Sequence, residues 1–322
     1  MSKIALESNI NGSGVFTIAS PNSNVDRTLT LPDVDGTLLT EENQSILASF
    51  RNKIINGDMR ISQRGTSIDV TSGGVYTLDR WGALATGANA TATQGSYTKD
   101  SVVRKSLVIT GAASNSAVDI WQRIEGLNSY TLANKSVTVS LDVFTTDAKT
   151  VTWEIYYADT VDIFSAKTFV TSGTFNTAGG SYESKSFTFN APSQSNNGLE
   201  FRLKFGALVA AKVCAIGSVQ LEEGSVATNF EDRPMGLELD LCKRYFQVYF
   251  LGVFVPSPNL YGVNSGSYFM RTTPLLTHNN ISAVNLAVAS TTMYATGFVV
   301  TIQANSSGNG QWLADFFLHA EL

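Results

Sequence analysis

VQLEEGSVATNFEDRPMGLELDLCKRYF, residues 219–246, decides how the rest of the chain is read. Val219–Leu221 alternates like the last strand of a half-buried sheet. Asn229–Pro234 comes next with turn formers and a proline, and from Pro234 the spacing predicts a helix, because a proline in the first turn forfeits no needed donor. Met235, Leu239, Cys242 and Phe246 fall on one face, and Leu237, Leu241, Tyr245 and Val248 form a second apolar line beside it. Asp240 can pair with Arg244 one turn on, and the helix is expected to run from Met235 to Phe250. A helix with that much apolar girth must be covered on more than one side. The residues before it read as one β body and those after it as another, so it docks between them or against copies of itself.

Working outward, residues 51–233 alternate cleanly at Val137–Val143, Val151–Tyr157 and Phe201–Phe205. Leu107–Ile109, Val118–Ile124 and Phe187 with Phe189 add further strands, and turn clusters such as Ser72-Gly73-Gly74, Ala178-Gly179-Gly180 and Gln194–Gly198 separate them. Many short strands without a long amphipathic helix argue for an antiparallel sandwich whose last strand closes on its first. Residues 234–322 carry the helix and a second strand set: Leu251–Val255, Tyr268–Arg271, Ile281–Val288, Thr292–Gln303 and Gln311–Leu322. Residues 1–50 hold apolar strings too short for a core of their own, and 41–54 reads as a short helix with Ile46, Leu47 and Phe50 on one face. The expected fold is therefore all-β. It comprises an N-terminal trimerising β segment with a short helix (1–50), a central antiparallel jelly-roll β-sandwich (51–233), and a connecting helix with a small C-terminal β-sandwich tip (234–322).

Composition narrows the function. The chain has 322 residues, 43% apolar and 15% charged, with 26 glycines and a net charge of -5. Without clustered Lys or Arg, nucleic acid is not an expected partner. Cys214 and Cys242 lie in apolar contexts without metal-ligand spacing and read as buried thiols. MSKIALESNI has no apolar core for a secretory signal, and Tyr245–Pro256 is too short to span a bilayer, so assembly in a reducing cytoplasm is expected. His278 and His319 stand on different elements outside any nucleophile, zinc or phosphate motif. The neighbouring acids Glu222-Glu223 and Glu231-Asp232 read as solvated strand ends rather than a hydrolytic pair, and no enzyme is expected.

RNKIINGDMRISQRGTS (51–67) with YTLDRW (76–81) resembles the opening of a carbohydrate-binding-module-like jelly roll found in tail fibres and receptor-binding proteins of tailed bacteriophages. VQLEEGSVATNFEDRP (219–234) is similar to that module's closing strand and tail. LELDLCKRYF, YFMRTTP (268–274) and AEL (320–322) resemble the attached tip, and LTLPDVDGTLLT looks like a fibre-shaft repeat. The four pieces stand in the family's order over nearly the whole chain, with a shorter shaft than longer members have. The resemblance implies a virion fibre that is fixed through its N-terminus to tail or baseplate proteins and binds host cell-surface polysaccharide. A purely structural fibre or decoration protein, or a depolymerase, are the alternatives.

Sugar binding needs flat aromatic faces with polar neighbours. Trp121, Tyr130, Tyr156 and Tyr182 in the body and Tyr261, Tyr268 and Tyr294 in the tip are the candidates, each with core or rim packing as its plain alternative. Trp121 is out of phase with Val118, Ile120 and Ile124, which sends it to the outer sheet face, while Trp81 and Trp153 read as core. The resemblance also implies a structural Ca²⁺ joining the first and last strands, for which Asp58, Asp79 and Glu222 sit in the right regions; plain surface carboxylates are the other reading. Apolar strings in 1–50 and the apolar helix together imply a homotrimer with Leu237, Leu239, Leu241 and Phe246 at its axis.

Overall fold

The computed structural model describes residues 50–255, 261–267, 269–284, 286–293, 297–304 and 310–322, with positions 13, 15, 17, 24–26 and 28 before them. Apart from those isolated positions and Phe50, the expected attachment segment, with the shaft-like repeat and residues 41–49 of the expected short helix, lies outside the described residues. The chain divides into two compact units, Met1–Leu39 and Thr40–Leu322; sandwich, helix and tip all belong to the second.

The body is an all-β sandwich of twelve strands. They are β1 (Ser67–Val70), β2 (Val75–Tyr76), β3 (Trp81–Thr86), β4 (Ala90–Lys99), β5 (Val102–Thr110), β6 (Ala117–Ile124), β7 (Ser136–Thr145), β8 (Lys149–Thr160), β9 (Ile163–Thr177), β10 (Glu183–Asn190), β11 (Leu199–Gly206) and β12 (Val213–Glu223). One antiparallel sheet runs β1-β4-β5-β12-β7-β10 and the facing sheet β2-β3-β6-β11-β8-β9, as a jelly roll requires. Alternation supplies the core: Val137, Val139, Leu141 and Val143 from β7 meet Val151, Trp153 and Ile155 from β8 and Phe201, Leu203 and Phe205 from β11. Trp81 and Trp153 are core residues, as their phase predicts.

The two ends of the body meet as expected, with one difference in where the closing strand sits. β12 lies in the sheet's centre, between β5 and β7, not beside β1. Its pairing with β5 stops at Ile216↔Leu107. Beyond that point residues 52–57 take β5's place: Lys53 N–H donates to Leu221 O (2.8 Å), Val219 N–H to Gly57 O (2.9 Å), and Leu221 N–H to the Asn52 side chain (3.0 Å). This use of the backbone is why Arg51–Ile54 are not helical, correcting the short helix where the structure describes it.

The connecting helix also differs in length. A four-residue turn, α1 (Gly126–Ser129), precedes it in the body, and the helix itself, α2, spans Met235–Lys243. It stops seven residues before the expected end because the aromatic and β-branched run beyond it, β13 (Phe246–Val255), pairs along its whole length with β18 (Gly310–His319). The remaining tip strands are β14 (Tyr261–Ser267), β15 (Leu275–Val284), β16 (Leu286–Met293) and β17 (Gly297–Ala304). Sheets β13-β18-β15 and β14-β17-β16 enclose a small core of Phe298, Val300, Ala314, Phe316 and Leu318. Residues 269–274 form no strand, and the other expected tip strands shift by several residues, since loop positions there alternate as strands do.

α2 fills the seam between body and tip. Cys242 and Tyr245 pack on Ile55 and Ile61 of the body, with Leu239 and Leu241 against them. Arg80, fully buried, ion-pairs with Glu321 and stands 3.6 Å over the Tyr245 ring; Arg64 lies 3.7 Å over the Phe246 ring and 2.9 Å from Glu321. Buried Glu125 accepts from Arg244 (2.9 Å) and from the Tyr245 hydroxyl (3.1 Å). Charges so enclosed need opposite charges beside them, and each of these has one. Among the described residues no helix is long and apolar enough to cross a membrane.

Candidate carbohydrate-binding site

The outer face of the first sheet carries the site. Because β7 points Val139, Leu141 and Val143 inward, it points Ser140 and Asp142 outward. Ser184 and Ser186 from β10 and Ser218 from β12 join them, giving a floor of small hydroxyls around one carboxylate. Ser218 reaches it through a bulge, where the β12–β7 register slips between Gly217 and Gln220 and Ser218 takes a positive φ of 47°.

Two walls rise from this floor. One is the far half of the β4–β5 hairpin, which leaves the sheet where β5 parts from β12 and arches over it. Gly217 permits that arch: a Cβ there would stand 2.7 Å from a ring carbon of Tyr97 and 2.9 Å from Lys105 O. The other wall is the strap 224–230. It is pinned by Gly224 N–H to Ser136 O (2.8 Å), Thr138 Oγ1 to Gly224 O (2.8 Å), and both Thr228 N–H (2.9 Å) and Thr228 Oγ1 (2.6 Å) to Glu222. The walls meet where the Arg104 guanidinium of the hairpin lies 5.9 Å over the Phe230 ring of the strap. Between them is a cavity of about 230 Å³, reaching outward to edge strand β10.

A hydrogen-bond network stiffens the floor. Asp142 accepts from Lys99 Nζ (2.6 Å), Ser184 Oγ (2.8 Å) and Tyr97 OH (2.7 Å), and Lys99 also donates to Ser184 (2.7 Å). The Tyr97 hydroxyl further bonds Ser218 Oγ at 2.8 Å. Burial first, and the neighbouring Asp142 with it, push the Tyr97 phenol well above its ordinary value, so it stays a neutral donor. Behind it Tyr182 stacks on Tyr97 at 4.0 Å and donates to Ser106 (2.9 Å). The hydroxyls of Ser140 and Ser186 carry no hydrogen bond to another described residue and face the cavity open-handed. Such a surface can take sugar hydroxyls, with Phe230 as an apolar face for the ring.

The structure scatters the other candidates. Tyr182 stands behind the cavity wall and does not line it. Trp121 does lie on an outer face, but of the second sheet, where its ring lies flat across Gly82 and Gly74 and is 7% exposed with Arg202 5.0 Å above it. Tyr156 shares that face, bonded to Glu154 (2.7 Å) and edge-on to Phe169. It borders Glu200, whose burial would raise its carboxyl but which Arg202, Lys167 and Arg123 together hold below the usual carboxylate range. Tyr130 is exposed on the turn after α1, away from both sets. Tyr261 belongs to β14, and its side chain, with Tyr268 and Tyr294, lies outside the described residues.

The carboxylates suggested for calcium each have protein partners. Asp58 pairs with Arg60; Asp79 accepts from the Gln63 N–H and side chain; Glu222 is spent on Thr228 and Arg51. Among the described residues no cluster of acidic, His or Cys side chains is arranged to hold a metal ion. Of the residues suggested for a three-fold axis, Leu237 is half-buried, while Leu239 and Leu241 pack against the body's own cluster. Phe246 is on β13, not on the helix, and is 1% exposed beneath Arg64 and Phe317. Phe230, Lys99, Asp142 and the serines escape sequence reasoning because only the fold brings 99, 142, 184 and 230 together. The outward Ser and Thr of β7 and β10 were the available hint.

No protein-family model and no curated protein matches the chain. Among solved structures, the enzymatically active domain of tailspike protein 4 of bacteriophage CBA120 is similar over 54% of this chain and 22% of its own, at 15% identity and TM-score 0.39. A CBM4 carbohydrate-binding module is similar over 52% of this chain and 98% of its own, at 14% identity and TM-score 0.33. The C-terminal family 22 carbohydrate binding module of Clostridium thermocellum xylanase 10B is similar over 52% and 100%, at 14% identity and TM-score 0.34. Since the chain spans about a fifth of the tailspike's length, that protein's activity remains its own.

Proposed function

We propose that this chain is a non-enzymatic receptor-binding fibre of a tailed bacteriophage, assembled in the host cytoplasm, carried on the virion as a homotrimer, and binding host cell-surface glycan through the outer face of its first sheet. The observation that carries the glycan reading is the cavity itself: hydroxyls of Ser140 and Ser186 without partners among the described residues, fixed beside Asp142 and faced by Phe230. A rigid floor with unspent hydroxyls recognises polar ligands at little ordering cost. The non-enzymatic reading is supported by the lining, which holds one carboxylate, Asp142, with its oxygens already engaged, where a glycosidase uses two across the substrate. Attachment to tail or baseplate proteins is proposed from the resemblance of the N-terminal repeat.

A glycan array with the wild-type chain, followed by cell-adsorption competition, tests the proposal. Phe230→Ala is expected to lower glycan binding about tenfold, roughly 1.4 kcal/mol, while leaving the melting curve near wild type. An array without hits would leave a structural virion protein, and release of reducing ends would mark a depolymerase.

A further inference from the structure

Resting on the glycan reading, we infer that the cavity takes a single uncharged sugar ring at the end of a glycan chain, not an internal run of a polymer. Three features on the same face carry this. The first is length. Along β7 the strap is pinned at Thr138, and Asp142 is buried under its bonds to Lys99, Tyr97 and Ser184, so Ser140 is the open floor between them. At about 3.3 Å per residue Thr138 to Asp142 is about 13 Å, and with both ends taken this leaves room for one six-membered ring with its hydroxyls. The cavity's 230 Å³ agrees, lying below the roughly 300–1,000 Å³ of pockets that enclose larger ligands.

The second is closure. A groove for a running polymer must be open at both ends. Here the Arg104–Phe230 contact joins hairpin to strap, and the Lys99 bonds to Asp142 and Ser184 bar the hairpin side of the floor. The way in lies over β10, an edge strand with Ser184 and Ser186 at its rim. A ligand enters from that edge and stops.

The third is charge. The lysines that line the cavity are both matched, Lys99 by Asp142 at 2.6 Å and Lys185 by Glu183 at 2.8 Å. An anionic sugar would compete with a carboxylate already in place, whereas Ser140, Ser186 and Ser218 suit neutral hydroxyls equally well as donors and acceptors.

The test is titration calorimetry on the wild-type chain with methyl glycosides of glucose, galactose, mannose, rhamnose and N-acetylglucosamine. The tetrasaccharides ending in each ring, and glucuronic and galacturonic acids, complete the panel. The expected result is that at least one neutral glycoside binds, that its tetrasaccharide binds within about threefold of it, and that the acids bind at least about tenfold more weakly. A gain of about tenfold or more from monosaccharide to tetrasaccharide overturns end-on recognition while leaving glycan binding standing, and preference for an acid overturns the neutral ring. No binding across the panel, with a glycan array also blank, overturns both this inference and the reading under it. Ser186→Trp at the rim should abolish binding of the glycoside and tetrasaccharide together, since Ser186 is exposed and its replacement leaves the core untouched.

Discussion

Gly217 and Tyr97 show how much of the site hangs on single atoms. Gly217→Ala places a methyl 2.7 Å from the Tyr97 ring, so the hairpin must lift; a stability loss of about 1–3 kcal/mol is expected together with loss of glycan binding, checked by denaturant melts and calorimetry. Tyr97→Phe removes the hydroxyl between Asp142 and Ser218 and should cost about 1–2 kcal/mol by the same melts, with binding weakened because the floor loses its brace. Neither role was legible in the sequence. Gly217 reads there as one of many glycines, and Tyr97 sits in a Thr- and Ser-rich stretch with no apolar alternation. Trp121 shows the opposite case: its phase announces an outer face correctly, but Gly74 and Gly82, distant in sequence, let its ring lie flat, and Arg202 covers it. Periodicity reports which side a residue faces and is silent on what covers that side.

At the scale of elements, the seam around α2 is where acid should be felt. Burial first, and Arg64 beside it, hold His319 below its ordinary 6.5, with Glu321 opposing. A depressed histidine contributes stability that is full above 6.5 and is lost as pH falls through its folded value. Melting followed in the tip should therefore weaken on acidification below about pH 6.5, and His319→Gln should flatten that part of the profile. Asp79 and Glu238, raised by burial, run the other way, since acid relieves them; the difference between wild type and His319→Gln isolates the histidine. Leu241→Asp is expected to cost about 1–3 kcal/mol whatever the oligomeric state, because Leu241 packs on Ile55, Ile61 and Tyr245 within its own chain. The helix was legible from its spacing, and its early end was not: Phe246 and Val248 fit the helical lines and a strand equally well, and only β18, about seventy residues on, settles which they join. β9 was invisible for another reason. Its fifteen residues are mostly polar or half-exposed, a solvent-facing strand with little apolar signal.

For the whole molecule, the proposed trimer needs a surface that the chain does not cover itself. Phe250, on edge strand β13, is 61% exposed, and Val248 beside it is also outward. Phe250→Lys should leave the monomer's melting intact and reduce the mass seen by light scattering; unchanged mass would move the contact elsewhere. The sandwich-helix-tip order was readable because turn formers and alternation mark each part locally, whereas strand order is a property of the finished sheet. That order carries a consequence in time. β12 is the last strand of the body to leave the ribosome and occupies the middle of its sheet, with residues 52–57, some 167 positions earlier, closing on its flank. Until residue 223 has been synthesised, β5 and β7 each present an open edge where β12 belongs. Folding thus waits on contacts of very high sequence separation, which makes it slow and leaves the nascent chain prone to pairing with its neighbours. Chains released at residue 212 should aggregate, while those released at 245 should yield a protease-resistant body.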